Sequence, residues 1–356
     1  MGNRLFCDVH VLQSLPPSCV NRDDTGSPKT AIYGGVTRSR VSSQSWKRAM
    51  RLYFKEIFAD EEIGIRTKKV KQLLVEELSK HESIQEPEKI IEEILTHVDS
   101  NAKKDKSDTL FFISKQQMEA LVNLALENPK GELNKEDVKR AYNSKPSIDM
   151  ALFGRMVAKD QDLNTDASSQ VAHAISTHAV SNEYDYFTAV DDIDNEEHAG
   201  AGHIGTTEYN SSTVYRYATV AVHDLYDQLG DDVPRVVKGF IEAFVKSMPT
   251  GKQNSFANRT LPSLVLVNMR TDQPINLVAA FEQPIYPGES GFIKPSAKQL
   301  ESYETNLYKS MASKPSQSFL VHDGSIITNR ESIDLNTLFE EAEAYIEEYA
   351  NNFEGE

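Results

Sequence analysis

Residues 34–55, GGVTRSRVSSQSWKRAMRLYFK, carry Arg38, Arg40, Lys47, Arg48, Arg51 and Lys55 without one acidic side chain. From Arg22 to Lys55 there are eight cations and two acids, a net of +6 in a chain of formal charge −16, which leaves −22 for the remainder. Ser42 or Ser43 can cap a helix running to about Phe58, with Trp46, Ala49, Met50, Tyr53, Phe54 and Ile57 on its apolar face. Cations at a helix start oppose the helix dipole. The free N–H groups and positive end of that start instead attract anions, phosphate above all. Lys47 and Arg51 lie four residues apart on one face, Arg48 beside them and Lys55 beyond. Ser42, Ser43, Gln44 and Ser45 add neutral donors suited to phosphate or sugar. A solvated helix face accounts for the spacing alone. A concentrated basic block in an otherwise acidic chain points to a bound polyanion.

Other candidate chemistry is weaker. Asp23 and Asp24 in NRDD pair two carboxylates beside the basic block, and such a pair can hold a divalent metal for phosphodiester hydrolysis. Adjacent Asp residues more often cap a turn. His173 and His178, five apart, fall on different sides of a helix, and HAGAGHIG (198–205) lacks the Lys-Ser/Thr of a phosphate loop. YDYF (184–187) offers either a stacking platform or a core strand. With two cysteines, Cys7 and Cys19, neither a disulfide framework nor a cysteine zinc cluster is available, and no cofactor is expected. No apolar run approaches the ~20 residues that span a bilayer. The N-terminus MGNRLFCDVH lacks a signal-peptide core, so a cytoplasmic protein with reduced thiols and no membrane partner is expected.

The elements that must position these residues read as an α+β chain. RLFCDVHVLQ (4–13) alternates as a strand that PPS (16–18) ends, and a loop rich in turn residues and cations leads to the capped helix. Residues 60–146 are charge-dense and predict a helical insertion, with starts at Thr67, at Pro87 and at the Ser114/Gln117 capping box. A strand is predicted at 148–157, a helix at 168–178, a projecting loop or hairpin at 188–213 and a strand at 214–223. A helix at 234–248, a strand at 263–269, and helices near 295–312 and 335–350 follow, the last in a C-terminal stretch of nine acids and no Lys or Arg. Without the insertion and the projection the order is β, α, β, β, α, β, the split ferredoxin-like pattern of many RNA-binding domains.

SCVNRDD, AIYGG and RVSSQSWKRAMR together resemble the CasC family, the backbone subunit of the type I-E CRISPR surveillance complex Cascade. The likeness continues through ALFGRM (151–156), VAHAISTH (171–178), DYFTAVDD (185–192), HIGTTEYNSS (203–212), VYRYA (214–218) and GFIKPS (291–296). The resemblance implies a modified ferredoxin-like, RNA-recognition-motif-like palm over 1–59, 147–187 and 214–356. It implies helical fingers over 60–146 and a thumb hairpin over 188–213. It also implies a non-catalytic scaffold whose copies stack in a helical filament along CRISPR guide RNA and present it to target DNA. The other partners implied are the large, small, guide-5'-end-binding and guide-processing Cascade subunits. By position, Arg22, Lys29, Gln44, Lys47 and Arg51 become guide-backbone contacts, joined by Ser42, Ser43 and Arg48 of the same block. Met156 becomes a wedge near each kink in the guide, and Phe187 and Thr188 cover the displaced nucleotide. Asp23 and Asp24 fall where related type III backbone subunits keep an RNA-cleaving Asp, and are read as structural here.

Overall fold

A computed structural model describes residues 4–82, 84–99, 110–129, 133–157, 160–188, 204–289, 291–326, 328 and 330–353. In chain order the elements begin β1 (Phe6–Ser18), β2 (Thr30–Tyr33), β3 (Val36–Val41), α1 (Ser43–Ile57), β4 (Ile65–Thr67), α2 (Val70–Leu78) and α3 (Pro87–Val98). Next come β5 (Phe111–Ile113), α4 (Lys115–Glu127), α5 (Lys135–Tyr142), α6 (Ile148–Phe153), β6 (Ser169–Val171), β7 (Ala174–Ser176) and β8 (Glu183–Thr188). The chain continues through β9 (Ile204–Ala221), α7 (Val222–Leu229), α8 (Val233–Lys246) and α9 (Gln253–Phe256). It closes with β10 (Leu264–Arg270), α10 (Ile293–Ser310), β11 (Gln317–His322) and α11 (Leu335–Phe353). The chain divides into two compact units, one of Met1–Met50, Val171–Thr219 and Lys238–Glu356, the other of Arg51–Gln170 and Val220–Val237. No described helix is long and apolar enough to cross a membrane.

In the first unit the main sheet runs β11-β10-β1-β9-β7-β3-β2, with β8 paired to β9. β1 pairs antiparallel with β10 from Phe6↔Arg270 to Leu12↔Leu264. That ladder ends before Pro16 and Pro17, so β1 extends through residues that cannot donate to it. Both faces of the sheet are covered. On one face Tyr215 and Tyr217 join Leu12, Phe281, Ala297 and Leu300 in a single apolar cluster. On the other face Arg216, fully buried, packs against two rings, its guanidinium 3.7 Å from the centroid of Trp46 on α1 and 4.5 Å from that of Phe244 on α8. Arg216 Nη1 donates to Gln13 Oε1 on β1 at 2.7 Å, and Nη2 donates to the Phe244 carbonyl.

Several sequence expectations are corrected. The stretch expected as a loop ahead of α1 holds the β2–β3 hairpin, closed by Gly34 and Gly35 at φ +58° and +78° between paired Tyr33 and Val36. Two positive φ values define the tight turn that matches strand twist. A Cβ on Gly34 would lie 1.7 Å from the Glu282 carbonyl oxygen, so only glycine fits. The predicted helix at 168–178 is two short strands, because β7 pairs with both β3 (Arg40↔Ile175) and β9 (Ile175↔Tyr215) and long-range pairing overrides local pattern. The predicted strand at 148–157 is α6, stopped by Gly154 at φ +76°. The strand predicted to end at 223 gives way to α7 at Val222. β11 was not foreseen. The hairpin expected at 188–213 has its arms in β8 and β9, paired from Glu183↔Tyr209 to Thr188↔Ile204, while residues 189–203 lie outside the described ones.

The second unit packs α2 to α5 around Leu74, Ile91, Ile94, Leu121, Val138 and Tyr142. The Ser114 capping box forms as read, with Gln117 N donating to Ser114 Oγ at 3.0 Å and Ser114 N donating to Gln117 Oε1 at 3.2 Å. Amid these helices β4 and β5 form a two-stranded sheet that the charge-dense text concealed.

The covered sheet of the first unit holds a buried polar pair with opposite responses to acid. Tyr215 Oη accepts from Leu277 N at 3.1 Å and shares a hydrogen bond with His10 Nδ1 at 2.9 Å. Burial, with the Arg270 and Arg330 charges behind it, pushes His10 down to about 3. Asp8 accepts from Tyr217 Oη at 2.9 Å and Ile275 N at 2.8 Å, yet burial raises it to about 6. Between pH ~6.5 and ~3 the unfolded chain takes up a proton that folded His10 refuses, so His10 removes stability as pH falls. From about 6 down to the ordinary carboxyl value, folded Asp8 takes up a proton that the unfolded chain does not, which adds stability. The His10 displacement is the larger, so the pair loses stability on acidification. Urea unfolding at several pH values checks this: Asp8→Asn should steepen the loss below pH ~6 relative to wild type, and His10→Gln should flatten it.

Candidate nucleic-acid interface

The basic residues of the first unit are gathered by main-chain bonds at the start of α1. Lys29 N donates to the Asn21 carbonyl at 2.8 Å, and Arg40 N donates to the Lys29 carbonyl at 2.9 Å. Asn21 Oδ1 accepts from Ser42 N at 2.9 Å, which fastens the Arg22–Lys29 loop to the helix start. The Ser42 carbonyl accepts from Ser45 N and Trp46 N, so α1 begins where the serines predict. Its first turn holds no acid. Ser43 Oγ reaches Gln44 Oε1 at 3.5 Å, and Gln44 and Arg48 are exposed. Trp46, packed against Arg216, sets the rotation of α1 that leaves these groups outside.

Within the loop Asp23 Oδ1 accepts from Thr25 Oγ1 at 2.7 Å, Thr25 N at 3.0 Å and Ser27 N at 3.0 Å. Donation from the Thr25 hydroxyl, with the turn amides, holds its pKa below the usual carboxylate value. This is the turn-capping role that adjacent Asp residues more often take. Asp24 is exposed.

Two cations of the block have other partners. Arg38 is buried and donates to the carbonyls of Tyr33 (3.1 Å), Ser176 (2.9 Å), Phe281 (2.8 Å) and Glu282 (3.2 Å). It braces the β2–β3 hairpin rather than the surface. Arg51 belongs to the second unit, where its Nε donates to Asp149 Oδ2 at 2.5 Å and its Nη2 to the Gly64 carbonyl at 3.1 Å. Asp149 is buried and also accepts from Gly64 N and Ser147 Oγ, each at 2.8 Å.

Sequence reading counted Arg40 only in the basic block, weighed His173 only as a metal ligand, and left Lys252 unnamed. Arg40 Nη1 lies 3.2 Å from His173 Nδ1, and burial followed by the charges of Arg40 and Lys29 lowers the His173 pKa. Arg38 and Arg40, two residues apart on β3, belong to one face of the strand, yet Arg38 is buried and Arg40 only half-buried, a difference the strand period does not announce. Lys252 sits in the left-handed region (φ 50°) and its Nζ reaches Thr207 Oγ1 on β9 at 3.4 Å. Burial raises the Cys19 thiol pKa, the charges of Arg22 and Lys252 oppose that rise, and those of Asp23 and Glu208 add to it. Gly251 makes room: a Cβ there would meet the Val20 carbonyl oxygen at 2.1 Å. Nothing local in the sequence signals Lys252.

At the β8–β9 arms, Phe187 pairs with Gly205, and its ring occupies the space a Gly205 Cβ would need, 2.3 Å from that position. Phe187 remains 51% exposed, with Tyr184 and Tyr186 exposed beside it, so YDYF is a surface strand rather than core. Thr188 pairs with Ile204. Met156, in the second unit, is 88% exposed. Among the described residues no group of three or more His, Cys, Asp or Glu is placed to share a metal ion.

The family of CT1975-like proteins (Cas_CT1975) matches residues 7–347. This chain belongs to that family. Over 96% of its length it is 30% identical to, and superposes with a TM-score of 0.82 on, the whole of a chain from a structure described as "CRISPR RNA-guided surveillance complex, pre-nicking". A chain of a second "CRISPR RNA-guided surveillance complex" is 29% identical, with a TM-score of 0.64, over 96% of this chain and 99% of that one. No curated protein sequence matches it.

Arg51→Glu would set a carboxylate against buried Asp149 and should destabilise the second unit by roughly 3–5 kcal/mol. The pair Arg22→Glu and Lys29→Glu changes residues at the surface and should stay within about 0.5 kcal/mol per site of wild type. Denaturant unfolding of the three chains checks the contrast.

Proposed function

We propose that this CT1975-like protein is the non-catalytic, guide-RNA-binding backbone subunit of a type I-E Cascade surveillance complex. The observation that carries this reading is the convergence of Arg22, Lys29, Arg40 and Lys252 with the acid-free start of α1 in a chain of net charge −16. The likeness to chains of CRISPR RNA-guided surveillance complexes supports a guide RNA as that polyanion. Helix-start amides, serine hydroxyls and cations would grip phosphates and leave base identity to pairing with target DNA.

In this reading the first unit is a ferredoxin-like palm. The strand order β10-β1-β9-β7, with α1 following β1 and α8 preceding β10 in the chain, supports it. The second unit supplies the fingers, and the β8–β9 hairpin the thumb. Copies stack along the guide beside the large, small, guide-5'-end-binding and guide-processing subunits, each thumb covering a displaced nucleotide through Phe187 and Thr188. Gln44, Lys47 and Arg48 complete the backbone grip on α1, and Met156 wedges near the kink. Three donors hold Asp23 in a turn, which supports a structural role for it over RNA cleavage.

Co-purification with the products of neighbouring genes, followed by sequencing of bound RNA, tests the reading. One class of CRISPR-derived guides is expected, and the absence of RNA would contradict it. Arg22→Ala with Lys29→Ala should weaken binding and reduce the slope of log K against log salt by about 0.7 per lost phosphate contact. Cleavage of complementary RNA in Mg²⁺ that disappears in Asp23→Ala would overturn the non-catalytic assignment.

A further inference from the structure

Among the described residues two that are not glycine sit at positive φ, Lys252 at 50° and Ala257 at 47°, and they bracket the single turn α9. Such residues persist only where their surroundings hold them, and they gather at functional sites. Contacts with two other parts of the first unit hold this turn. Gly251 abuts the end of β1, where a Cβ would lie 2.1 Å from the Val20 carbonyl oxygen and 2.8 Å from that of Cys19. Those residues lead directly into the Arg22–Lys29 loop. Lys252 Nζ reaches Thr207 Oγ1 at 3.4 Å, and the Phe256 ring lies 5.8 Å from that of Tyr209. Thr207 and Tyr209 share a face of β9 with Gly205, the residue over which Phe187 sits. The turn therefore joins the basic loop to the hairpin face that carries Phe187.

Gln253, Asn254 and Ser255 on this turn are exposed, and among the described residues their side chains meet no partner. Each of these neutral side chains can both donate and accept a hydrogen bond. A phosphate only accepts, and the cations and the start of α1 already supply its donors. A base face calls for a ring or a guanidinium, which these three lack. A hydroxyl, which donates and accepts in its turn, matches them. On a nucleic-acid strand the ribose 2'-hydroxyl repeats at every nucleotide whatever the sequence, and it is the group that tells RNA from DNA. Phosphate contacts alone leave the two strands alike.

We infer that Gln253, Asn254 and Ser255 receive ribose 2'-hydroxyls of the strand that passes between the basic loop and Phe187, and so make the protein select RNA over DNA. The inference rests on the guide-binding reading and deepens it from a grip on phosphate to a choice of sugar.

Binding of the full chain is measured, at one salt concentration, to a guide RNA and to the same sequence with 2'-fluoro ribose, which keeps the sugar pucker and removes the hydroxyl. The wild-type chain should bind the RNA about tenfold more tightly. A triple variant, Gln253→Ala with Asn254→Ala and Ser255→Ala, should lose about tenfold on the RNA, the worth of one or two net hydrogen bonds, and nothing on the 2'-fluoro guide. Its preference would then vanish. An equal loss on both guides would make these residues contacts to base or phosphate and overturn the inference, as would an undiminished preference for RNA. A wild-type chain that binds both guides equally overturns the sugar choice alone, whereas one that binds neither overturns the guide-binding reading itself.

Discussion

The first unit depends on how it accommodates one buried cation. Arg216 lies at the centre of the sheet with no carboxylate partner among the described residues, and burial pushes its guanidinium down to about 9. Removing such a group from water costs several kcal/mol unless its donors and flat faces are used. Here they are used by groups on three elements: Gln13 of β1, the ring of Trp46 on α1, and both the carbonyl and the ring of Phe244 on α8. Arg216 Nε and Trp46 Nε1 stay without acceptors, so the rings and the remaining bonds must carry the stabilisation. A lysine could not make these contacts, since it lacks both the plane and the fork of donors.

This arrangement reaches the surface through α1. Trp46 cannot leave the guanidinium without exposing it, so the rotation of α1 is fixed, and with it the direction of the helix start. Arg38 acts similarly two strands away, donating to four carbonyls that hold the β2–β3 hairpin in place. Two arginines are thus spent inside the unit, and Arg22, Lys29, Arg40 and Lys252 are presented outside it. The basic block has fewer surface charges than its sequence count of +6 suggests, but they are positioned by rigid elements.

How far this was legible in the sequence follows from which interactions are local. The helix at Ser43, the Ser114/Gln117 cap, the proline start at 87 and the apolar run of β10 are set by neighbours within a turn or two, and each formed as read. Strands β6, β7 and β11 are three to six residues long and exist only through distant partners, so nothing nearby announces them. Arg51 and Arg38 looked equivalent to their neighbours because a buried carboxylate at Asp149, or a cage of carbonyls, leaves no mark at the arginine's own position. The acid-free helix start was visible from composition alone. The left-handed Lys252 was not, since a lysine carries no sign of positive φ.

The central claim is that the start of α1 and the loop fastened to it form the RNA grip. Hydrogen–deuterium exchange on the full chain, with and without its guide RNA, measures this directly. The account expects slowed exchange in residues 21–29 and 40–47 on RNA binding, with the already protected amides of β10 unchanged. Unchanged exchange across 21–29 and 40–47 in the RNA-bound chain would contradict it.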